Sequence, residues 1–440
     1  MPFLTALFLI PGNQVFILGP FHFQMMRILI LFGWARMFLI KSSSHEEIFV
    51  GGMNAIDKAL IYCSVISAAD FVLLFREWGA LNNQLGALYT TFGLYFLFRF
   101  FIRNQEDVEH TIRGLAYIAA IIAVIMVFEQ ATGRTPYAFL GRTVAIREGS
   151  FRSCAAFGHP ILAGTFGAIT FPIFAGLWPK RDNRRAALVG MVAASLITLA
   201  SASSTPILAW VMSIMALCMW PIRRMMRVIR WGLVLTLVSL HLVMKAPVWA
   251  LIGRVDVMGG NSAAHRYMLV DNFIRRFGDW WLLGVKSTTS WGWDMFDLAN
   301  QYVAVGEVSG LLPFIFFMAL IVYGFKYIGK ARKAAEGNPE QEKFIWALGA
   351  AMFANVVDFF GISYWDQNLA TWYIFLVIIQ MTTLPIIAKA AEAHIESARP
   401  SLGFGTANQP RPIPEAGRGT LPLTSAKGVS RWPLRTDRVR

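Results

Sequence analysis

Long runs of apolar residues recur along this chain of 440 residues. A run of about 20 apolar residues forms a helix about 30 Å long, which matches the hydrocarbon core of a lipid bilayer. Because 56% of the residues are hydrophobic and only 15% are charged, the composition excludes an ordinary soluble domain. The pattern therefore predicts an integral membrane protein that crosses the bilayer several times.

About twelve runs have the length and composition of a transmembrane helix. They cover residues 3–20, 24–40, 57–75, 83–101, 113–132, 159–178, 186–203, 205–221, 228–245, 301–325, 342–362 and 367–388. Pro11 and Gly12 interrupt the first run, and Arg27 interrupts the second. The sequence therefore predicts an all-α, polytopic fold of about twelve transmembrane helices.

Short basic segments determine the predicted orientation, because loops rich in Lys and Arg stay on the cytoplasmic side. The richest segments are 180–185, 223–230, 326–343 and the tail after residue 389. With twelve helices they all fall on one side, which predicts that both termini are cytoplasmic. Residues 1–394 are then the membrane domain, and residues 395–440, rich in Pro, Gly, Ser, Thr and Arg, are predicted to be a disordered basic tail.

Several functional classes are disfavoured at this stage. The net charge of +14 lies largely in the orienting loops and the tail, which argues against a nucleic acid as partner. The three cysteines are too scattered for a disulfide framework. No nucleotide-binding, zinc or calcium motif is present in a usable context, so neither a cofactor nor a metal is predicted.

Two predicted external loops carry more arginine than this orientation favours. Residues 133–158 hold four arginines and a single acidic residue, and residues 246–300 interrupt the apolar pattern with a long polar stretch. Guanidinium groups present a planar array of donors to phosphate oxygens and keep their charge. The loops are therefore predicted to bind a phosphate or diphosphate group of a lipid-linked ligand. For each single arginine, an ion pair with a nearby aspartate or a lipid headgroup is the structural alternative.

Three further external segments complete the predicted outer face. Residues 262–277 have apolar side chains at helical spacing, which predicts an amphipathic helix within the large outer loop. Residues 201–206, rich in Ser and ending in Pro, predict a tight turn. Asp358 and residues 363–368 fall on the same side, where contacts to sugar hydroxyls and an aromatic belt are both compatible with the sequence.

Two blocks of residues carry a family resemblance. The first extends over residues 150–166 and contains Arg152, Phe157, His159, Pro160 and Gly164. The second begins with residues 266–277 and continues through Gly284, Asn300, Tyr302, Glu307 and Gly310. In order and spacing, these blocks resemble the O-antigen ligase and polysaccharide polymerase superfamily of bacterial membrane enzymes.

The resemblance implies a GT-C-like glycosyltransferase in the bacterial inner membrane that needs no nucleotide sugar and no metal. Such enzymes build lipopolysaccharide or exopolysaccharide by moving a glycan from undecaprenyl diphosphate to an acceptor. The acceptor is lipid A core for the ligases and another carrier-linked repeat unit for the polymerases. The implied partners are the lipid-linked glycan, the acceptor, membrane lipids, and chain-length or export proteins.

The resemblance also implies roles for individual residues. Arg152 and Arg266 match the arginines of the family and would stabilise the diphosphate leaving group. The residues expected to bind substrate are Arg147, Arg254, His159, His265, Asn300 and Tyr302. For His159, which precedes a helix, a structural hydrogen bond is the favoured alternative.

The acceptor-activating group is the main departure from the family. Ligases commonly have a histidine just before the asparagine that ends the outer loop, and here that residue is Ala299. Asp297 and Glu307 are the carboxylates predicted to replace it, with Asp294 a further alternative. The missing histidine favours a polymerase over a ligase. A lipid-linked glycan flippase, and a protein that only binds an anionic lipid, are alternatives from other classes.

Overall fold

A computed structural model describes residues 1–398 except 13, 19–20, 44–46, 148 and 255–261. Residues 1–393 form one compact unit, and residues 394–440 form a second. Of the predicted disordered tail, residues 395–398 are helical, and the remainder lies outside the described residues.

Helices dominate the described part of the chain. The α-helices are α1 Pro2–Leu9, α2 Met25–Ser43, α3 Ala55–Phe75, α4 Trp78–Phe101, α5 Gln105–Thr132, α6 Pro160–Gly176, α7 Arg184–Ala200, α8 Ser204–Cys218, α9 Met226–Val243, α10 Ser262–Arg275, α11 Phe277–Trp280, α12 Gln301–Ser309, α13 Leu311–Ala334, α14 Pro339–Asp358 and α15 Asp366–Ala398. The antiparallel strand pairs are β1 Val15–Leu18 with β2 Phe21–Gln24, and β3 Ala145–Arg147 with β4 Ser150–Arg152.

Among the described residues, five helical stretches are long and apolar enough to cross a membrane. They are α3, α5, residues 220–243 including α9, α13, and residues 366–395 of α15. Helices α6 and α8 are apolar but shorter. These findings fit the predicted all-α membrane protein, but they do not support twelve spans.

The shortfall from twelve has local causes. The predicted first span is wrong, because α1 ends at Leu9 and the pair β1–β2 follows it. The predicted span over 301–325 is divided at Gly310, whose φ of 81° ends α12 and begins α13. Helix α2 retains Arg27, and α4 contains polar residues at 82–84, so both are less apolar than a typical span.

Helix α6 lies at the centre of the bundle, where it packs against α7, α8 and α14. Small residues allow these helices to approach closely. A Cβ atom at Gly167 would lie 2.5 Å from the carbonyl oxygen of Ala194 in α7, and one at Gly164 would lie 2.4 Å from Oγ of Ser201. The contact between α6 and the segment joining α7 to α8 therefore depends on glycine.

Polar contacts hold both ends of α14 against other helices. Near its beginning, the carboxylate of Glu342 accepts hydrogen bonds from Arg223 at 2.8 Å and Arg332 at 3.1 Å. At its last residue, Asp358 accepts a hydrogen bond from Thr165 of α6.

The large outer loop has its own small hydrophobic core. The buried members of this core are Leu269, Phe273, Trp280, Trp291, Met295 and Val303. Helix α10 confirms the predicted helix within 262–277, and its apolar face packs on this core, where the rings of Phe273 and Trp280 stack 4.0 Å apart. The loop is thus a folded structure that can hold side chains of α10 in fixed positions.

Candidate functional site

The hairpin formed by β3 and β4 places Arg152 inside the bundle, where only 8% of the residue is exposed. The backbone after it is held firmly. The N–H of Ser153 donates to the carbonyl oxygen of Ala200 at the end of α7, 3.2 Å away. The next two backbone N–H groups donate to the carboxylate of Glu129 in α5, at 3.0 and 2.9 Å. These bonds fix the position from which the Arg152 side chain extends.

The guanidinium of Arg152 has one hydrogen bond, from Nη2 to Oγ of Ser203 at 2.6 Å. Its Nε is buried without a partner among the described residues, and none of their carboxylates forms an ion pair with it. Burial, and to a lesser degree the charge of Arg147, lower the pKa of Arg152. Because a buried cation without a counter-charge is costly, this environment favours an anionic ligand.

Ser203 stands at the beginning of α8, and its hydroxyl does not cap the helix. Instead it accepts from Arg152 and donates to the carbonyl oxygen of Ser201 at 2.8 Å. Within the described part of the chain, the buried hydroxyl of Thr205 also has no partner. The N-terminus of a helix carries N–H groups without intrahelical partners and a partial positive charge. The first turn of α8 therefore adds to the positive potential of Arg152.

Arg266 of α10 reaches the same turn from the other outer loop. It lines a cavity of about 170 Å³ together with Ser204 and Thr205. The opposite wall is the end of α14 and the residues after it, where a Cβ atom at Gly361 would fall 2.2 Å from Oγ1 of Thr205. The glycine thus allows this wall to approach α8.

Asp358, the last residue of α14, lies close enough to Arg266 for their charges to interact. It is fully buried, and its Oδ1 accepts a hydrogen bond of 3.3 Å from Thr165. Its Oδ2 has no partner among the described residues. A buried carboxylate with one unpaired oxygen can accept a proton or a hydroxyl donor from a ligand.

We call Arg152, Ser203, Ser204, Thr205, Arg266 and Asp358 the arginine site. Two arginines from segments more than 100 residues apart lie beside consecutive residues of one helix N-terminus: Arg152 hydrogen-bonds to Ser203, and Arg266 lines a cavity with Ser204 and Thr205. Bidentate guanidinium donors and a helix N-terminus both favour phosphate oxygens. Chemically, the arginine site can hold a diphosphate and stabilise the charge that develops on it.

His159 stands next to this region as the N-cap of α6. Its Nδ1 accepts a hydrogen bond from the backbone N–H of Ile161 at 3.2 Å, which is the structural role that sequence favoured. Burial, with a smaller effect from Arg152, lowers the pKa of His159 to about 4. The imidazole is therefore neutral at physiological pH and adds no charge to the arginine site.

Asn300 and Tyr302, expected to bind substrate, make structural contacts here. The Oδ1 of Asn300 accepts from the backbone N–H groups of Tyr302 and Val303, at 3.0 and 3.1 Å, and caps α12. The hydroxyl of Tyr302 donates to the carbonyl oxygen of Val356 at 3.0 Å, while its ring packs on Phe359 and neighbouring aromatic residues. Both residues fix α12 against the end of α14.

Three other predicted residues lie outside the arginine site. His265 makes a 2.9 Å hydrogen bond through Nε2 to the carbonyl oxygen of Asp294. Arg254 is exposed at the end of a 3-10 helix, and Asp297 is exposed in the loop before α12. In this conformation the structure does not bring these side chains to Arg152 or Arg266.

Glu307 lies within α12, which at nine residues is too short to cross a membrane. It is 4% exposed, and its Oε2 has no partner among the described residues. Burial raises the pKa of Glu307 to about 7, and the side chain of Thr288 acts in the opposite direction. This pKa suits proton transfer near neutral pH, but Glu307 faces the outer-loop core and not the arginine site.

The outer loop is held against Glu307 by a contact that requires glycine. Gly284 has a φ of 86°, and a Cβ atom there would lie 2.2 Å from the carbonyl oxygen of Glu307. We expect Gly284→Ala to lower the unfolding free energy by about 1–3 kcal/mol from backbone strain alone, with the clash adding to it. The measurement is the thermal unfolding midpoint in detergent.

Gly278→Ala is the matched control for this substitution. Gly278 lies in the same loop, and a Cβ atom there would meet no heavy atom within 4 Å. Its unfolding midpoint should stay close to that of the unmodified protein. Equal midpoints for the two variants would contradict the packing described for Gly284.

The sequence predicts both arginines of the site, but it does not predict that both lie beside the N-terminus of α8. Residues 201–206 were interpreted only as a turn, although Ser203 followed by a proline-containing apolar run is a typical helix N-terminus. Thr165 gave no signal, because it is one polar residue in an apolar helix. The sequence predicts Asp358 on the same face as the arginine-rich loops, but not next to Arg266. Among the described residues, no cluster of His, Cys, Asp and Glu could hold a metal ion.

No protein-family model matches the chain, and no curated protein matches its sequence. The functional interpretation therefore rests on the arginine site and on the resemblance of short motifs.

Proposed function

We propose that this chain is a membrane glycosyltransferase that polymerises glycan repeat units linked to undecaprenyl diphosphate, on the outer side of the bacterial cytoplasmic membrane. The observation that carries the proposal is the convergence of Arg152 and Arg266 on the first turn of α8. Both arginines belong to the blocks that resemble the polymerase and ligase superfamily. A GT-C-like arrangement with both termini in the cytoplasm is part of the same proposal.

In this reaction the acceptor hydroxyl forms a bond to the anomeric carbon of the donor glycan. The bond from that carbon to the diphosphate breaks, and its electron pair leaves with the undecaprenyl diphosphate. Arg152, Arg266 and the N-terminus of α8 stabilise the resulting charge, which is greater in the transition state than in the bound donor. The proton of the acceptor hydroxyl goes to a carboxylate, and Asp358 is the one within the arginine site.

Two rival functions make different demands on the structure. A ligase of this superfamily would use a histidine where this chain has the half-buried Ala299, so the polymerase stays the favoured member. A flippase should have unpaired charges at mid-membrane depth. Asp57 and Arg99 are buried in helices α3 and α4, but they pair with each other at 3.6 Å.

The test is a transfer assay with the full-length protein in proteoliposomes. The substrate is the lipid-linked repeat unit extracted from host cells, and the readout is product length by gel electrophoresis. We expect a ladder of carrier-linked oligomers, and a rate about a hundredfold lower for Arg266→Ala. Transfer only to added lipid A core would indicate a ligase, and movement of substrate between leaflets without transfer would indicate a flippase.

Arg275→Ala is the matched control. Arg275 lies on α10 like Arg266, but its side chain is 65% exposed and pairs with Asp271 on the surface. Its removal should leave the rate nearly unchanged, because exposed ion pairs contribute little to stability. Equal rates for both variants would contradict the proposed function.

A further inference from the structure

A second cavity, of about 280 Å³, lies between α3, α4 and α12. Hydroxyl and amide groups from each of these helices line it, including Ser64, Gln84 and Ser309. Helix α3 is one of the stretches apolar enough to cross a membrane. Polar residues that face a cavity from such a helix commonly mark a ligand pathway or binding site.

Three polar side chains of this cavity are available to a ligand. Within the described part of the chain, Ser64, Gln84 and Ser363 make no side-chain hydrogen bond, although all three are partly buried. By contrast, the hydroxyl groups of Ser67 and Ser309 hydrogen-bond to each other. Since partly buried polar groups usually find partners, the first three favour a ligand that offers several hydroxyl groups.

The lining also indicates the charge of that ligand. The described residues that line the cavity include no Asp, Glu, Lys, Arg or His, and the remaining wall is largely apolar, with Leu88, Val305 and Val308. An ionised ligand would be bound here without a counter-charge, which is unfavourable. A neutral saccharide fits, because it combines hydroxyl groups at its edges with apolar C–H faces. The volume lies near the lower end of the range for ligand pockets, so one or two sugar rings are expected.

The cavity and the arginine site share a wall, formed by the residues that follow α14. Gly361 lines the space beside Arg266, while Ser363 and Tyr364 line the second cavity. Gln301 holds this wall in place. Its N–H donates to the carbonyl oxygen of Phe359 at 2.8 Å, and its Oε1 accepts from the N–H of Tyr364 at 2.6 Å.

We infer that this second cavity binds an uncharged saccharide of the acceptor glycan, next to the diphosphate held by the arginine site. The inference rests on the proposed function. It assigns the two substrates to two sides of one wall: the charged group of the donor beside Gly361, and the neutral sugar of the acceptor beside Ser363. The hydrogen-bonding groups for the acceptor sugar are Ser64, Gln84 and Ser363.

The experiment compares two ligands on the full-length protein in nanodiscs. One probe is the repeat-unit oligosaccharide released from the surface polysaccharide of the host, and the other is undecaprenyl diphosphate without sugar. Ser64→Trp fills the cavity and should weaken oligosaccharide binding at least tenfold. Gln84→Ala should weaken it several-fold. Because the amide of Gln84 has no hydrogen-bond partner among the described residues, its loss leaves their hydrogen bonds intact and gives a second variant if Ser64→Trp does not fold.

Asn82→Ala is the matched control, since Asn82 is exposed on α4 and does not line the cavity. Both cavity variants should bind undecaprenyl diphosphate like the unmodified protein, whereas Arg152→Ala should lose that binding. Unchanged oligosaccharide binding in folded Gln84→Ala and Ser64→Trp would overturn this inference and leave the proposed function intact. Failure of the unmodified protein to bind undecaprenyl diphosphate would overturn the proposed function itself.

Discussion

Replacing Arg152 by alanine is expected to lower the rate of glycan transfer at least a hundredfold. Loss of one charged hydrogen-bond donor to a developing anion, in a site that excludes water, has an effect of this size. Arg152 is 8% exposed, and its Nε has no partner among the described residues, so this donor is available to a ligand. The rate is measured with the reconstituted protein and the extracted lipid-linked repeat unit.

Arg152→Lys separates charge from geometry. Lysine keeps a positive charge but lacks the planar pair of donors that binds two phosphate oxygens together. We therefore expect a partial recovery, with a rate between those of the alanine variant and the unmodified protein. Full recovery would mean that only the charge matters, and the bidentate role assigned to Arg152 would be wrong.

Arg134→Ala controls for the loss of an arginine from the same loop. Arg134 is exposed just after α5, and among the described residues it makes one hydrogen bond, from its backbone N–H to the hydroxyl of Thr132 at 3.2 Å. Its removal should leave the transfer rate within about twofold of the unmodified protein. A folded Arg152→Ala variant with the rate of this control would contradict the role of the arginine site in catalysis.

Most helices could be predicted because apolar length is a local property. The run over 57–75 corresponds to α3 and the run over 113–132 to the second part of α5. The exceptions contain residues whose backbone preferences the averaged hydropathy ignores. Gly310 adopts a φ of 81° that ends a helix within a continuous apolar run, and Pro11 follows Ile10, the C-cap of the short α1.

The arginine site was predictable only in part, because its members are distant in sequence. An excess of arginine on the predicted outer face is visible locally, and the resemblance to the family singles out Arg152 and Arg266 within it. Their meeting at Ser203 and Thr205 depends on how α7, α8 and α10 pack, which no local pattern reports. Asn300 is the opposite case. Its match to the family predicts substrate binding, but asparagine before a helix is also a common N-cap residue, and Asn300 is the N-cap of α12.

A buried polar network near the beginning of α3 is expected to dominate the stability of the bundle. The carboxylate of Asp57 is fully buried, accepts from the backbone N–H of Asn54 at 2.9 Å, and also accepts from the hydroxyl of Tyr95. Arg99 lies 3.6 Å from it and donates to the carbonyl oxygens of Val50 and Gly52, each at 3.0 Å. The network therefore joins α3, α4 and the loop before α3.

Asp57→Ala should lower the unfolding free energy by about 3–5 kcal/mol, because it leaves Arg99 buried without its counter-charge. The loss is measured as the shift of the thermal unfolding midpoint of the variant in detergent. Asp279→Ala is the control, since its ion pair with Arg276 is long, at 3.9 Å, and about half of each side chain is exposed. That variant should lose less than about 1 kcal/mol.

The double variant Asp57→Ala with Arg99→Met distinguishes an unpaired charge from lost packing. If the cost of Asp57→Ala comes mainly from the uncompensated guanidinium, removal of that charge should restore part of the stability, as for other buried ion pairs replaced by apolar residues. If instead the stability losses of the single variants Asp57→Ala and Arg99→Met add, the hydrogen bonds of Arg99 to Val50 and Gly52 stabilise the loop independently of Asp57. A coupling energy clearly different from zero would therefore show that the network acts as an ion pair, and one near zero would show two separate backbone anchors.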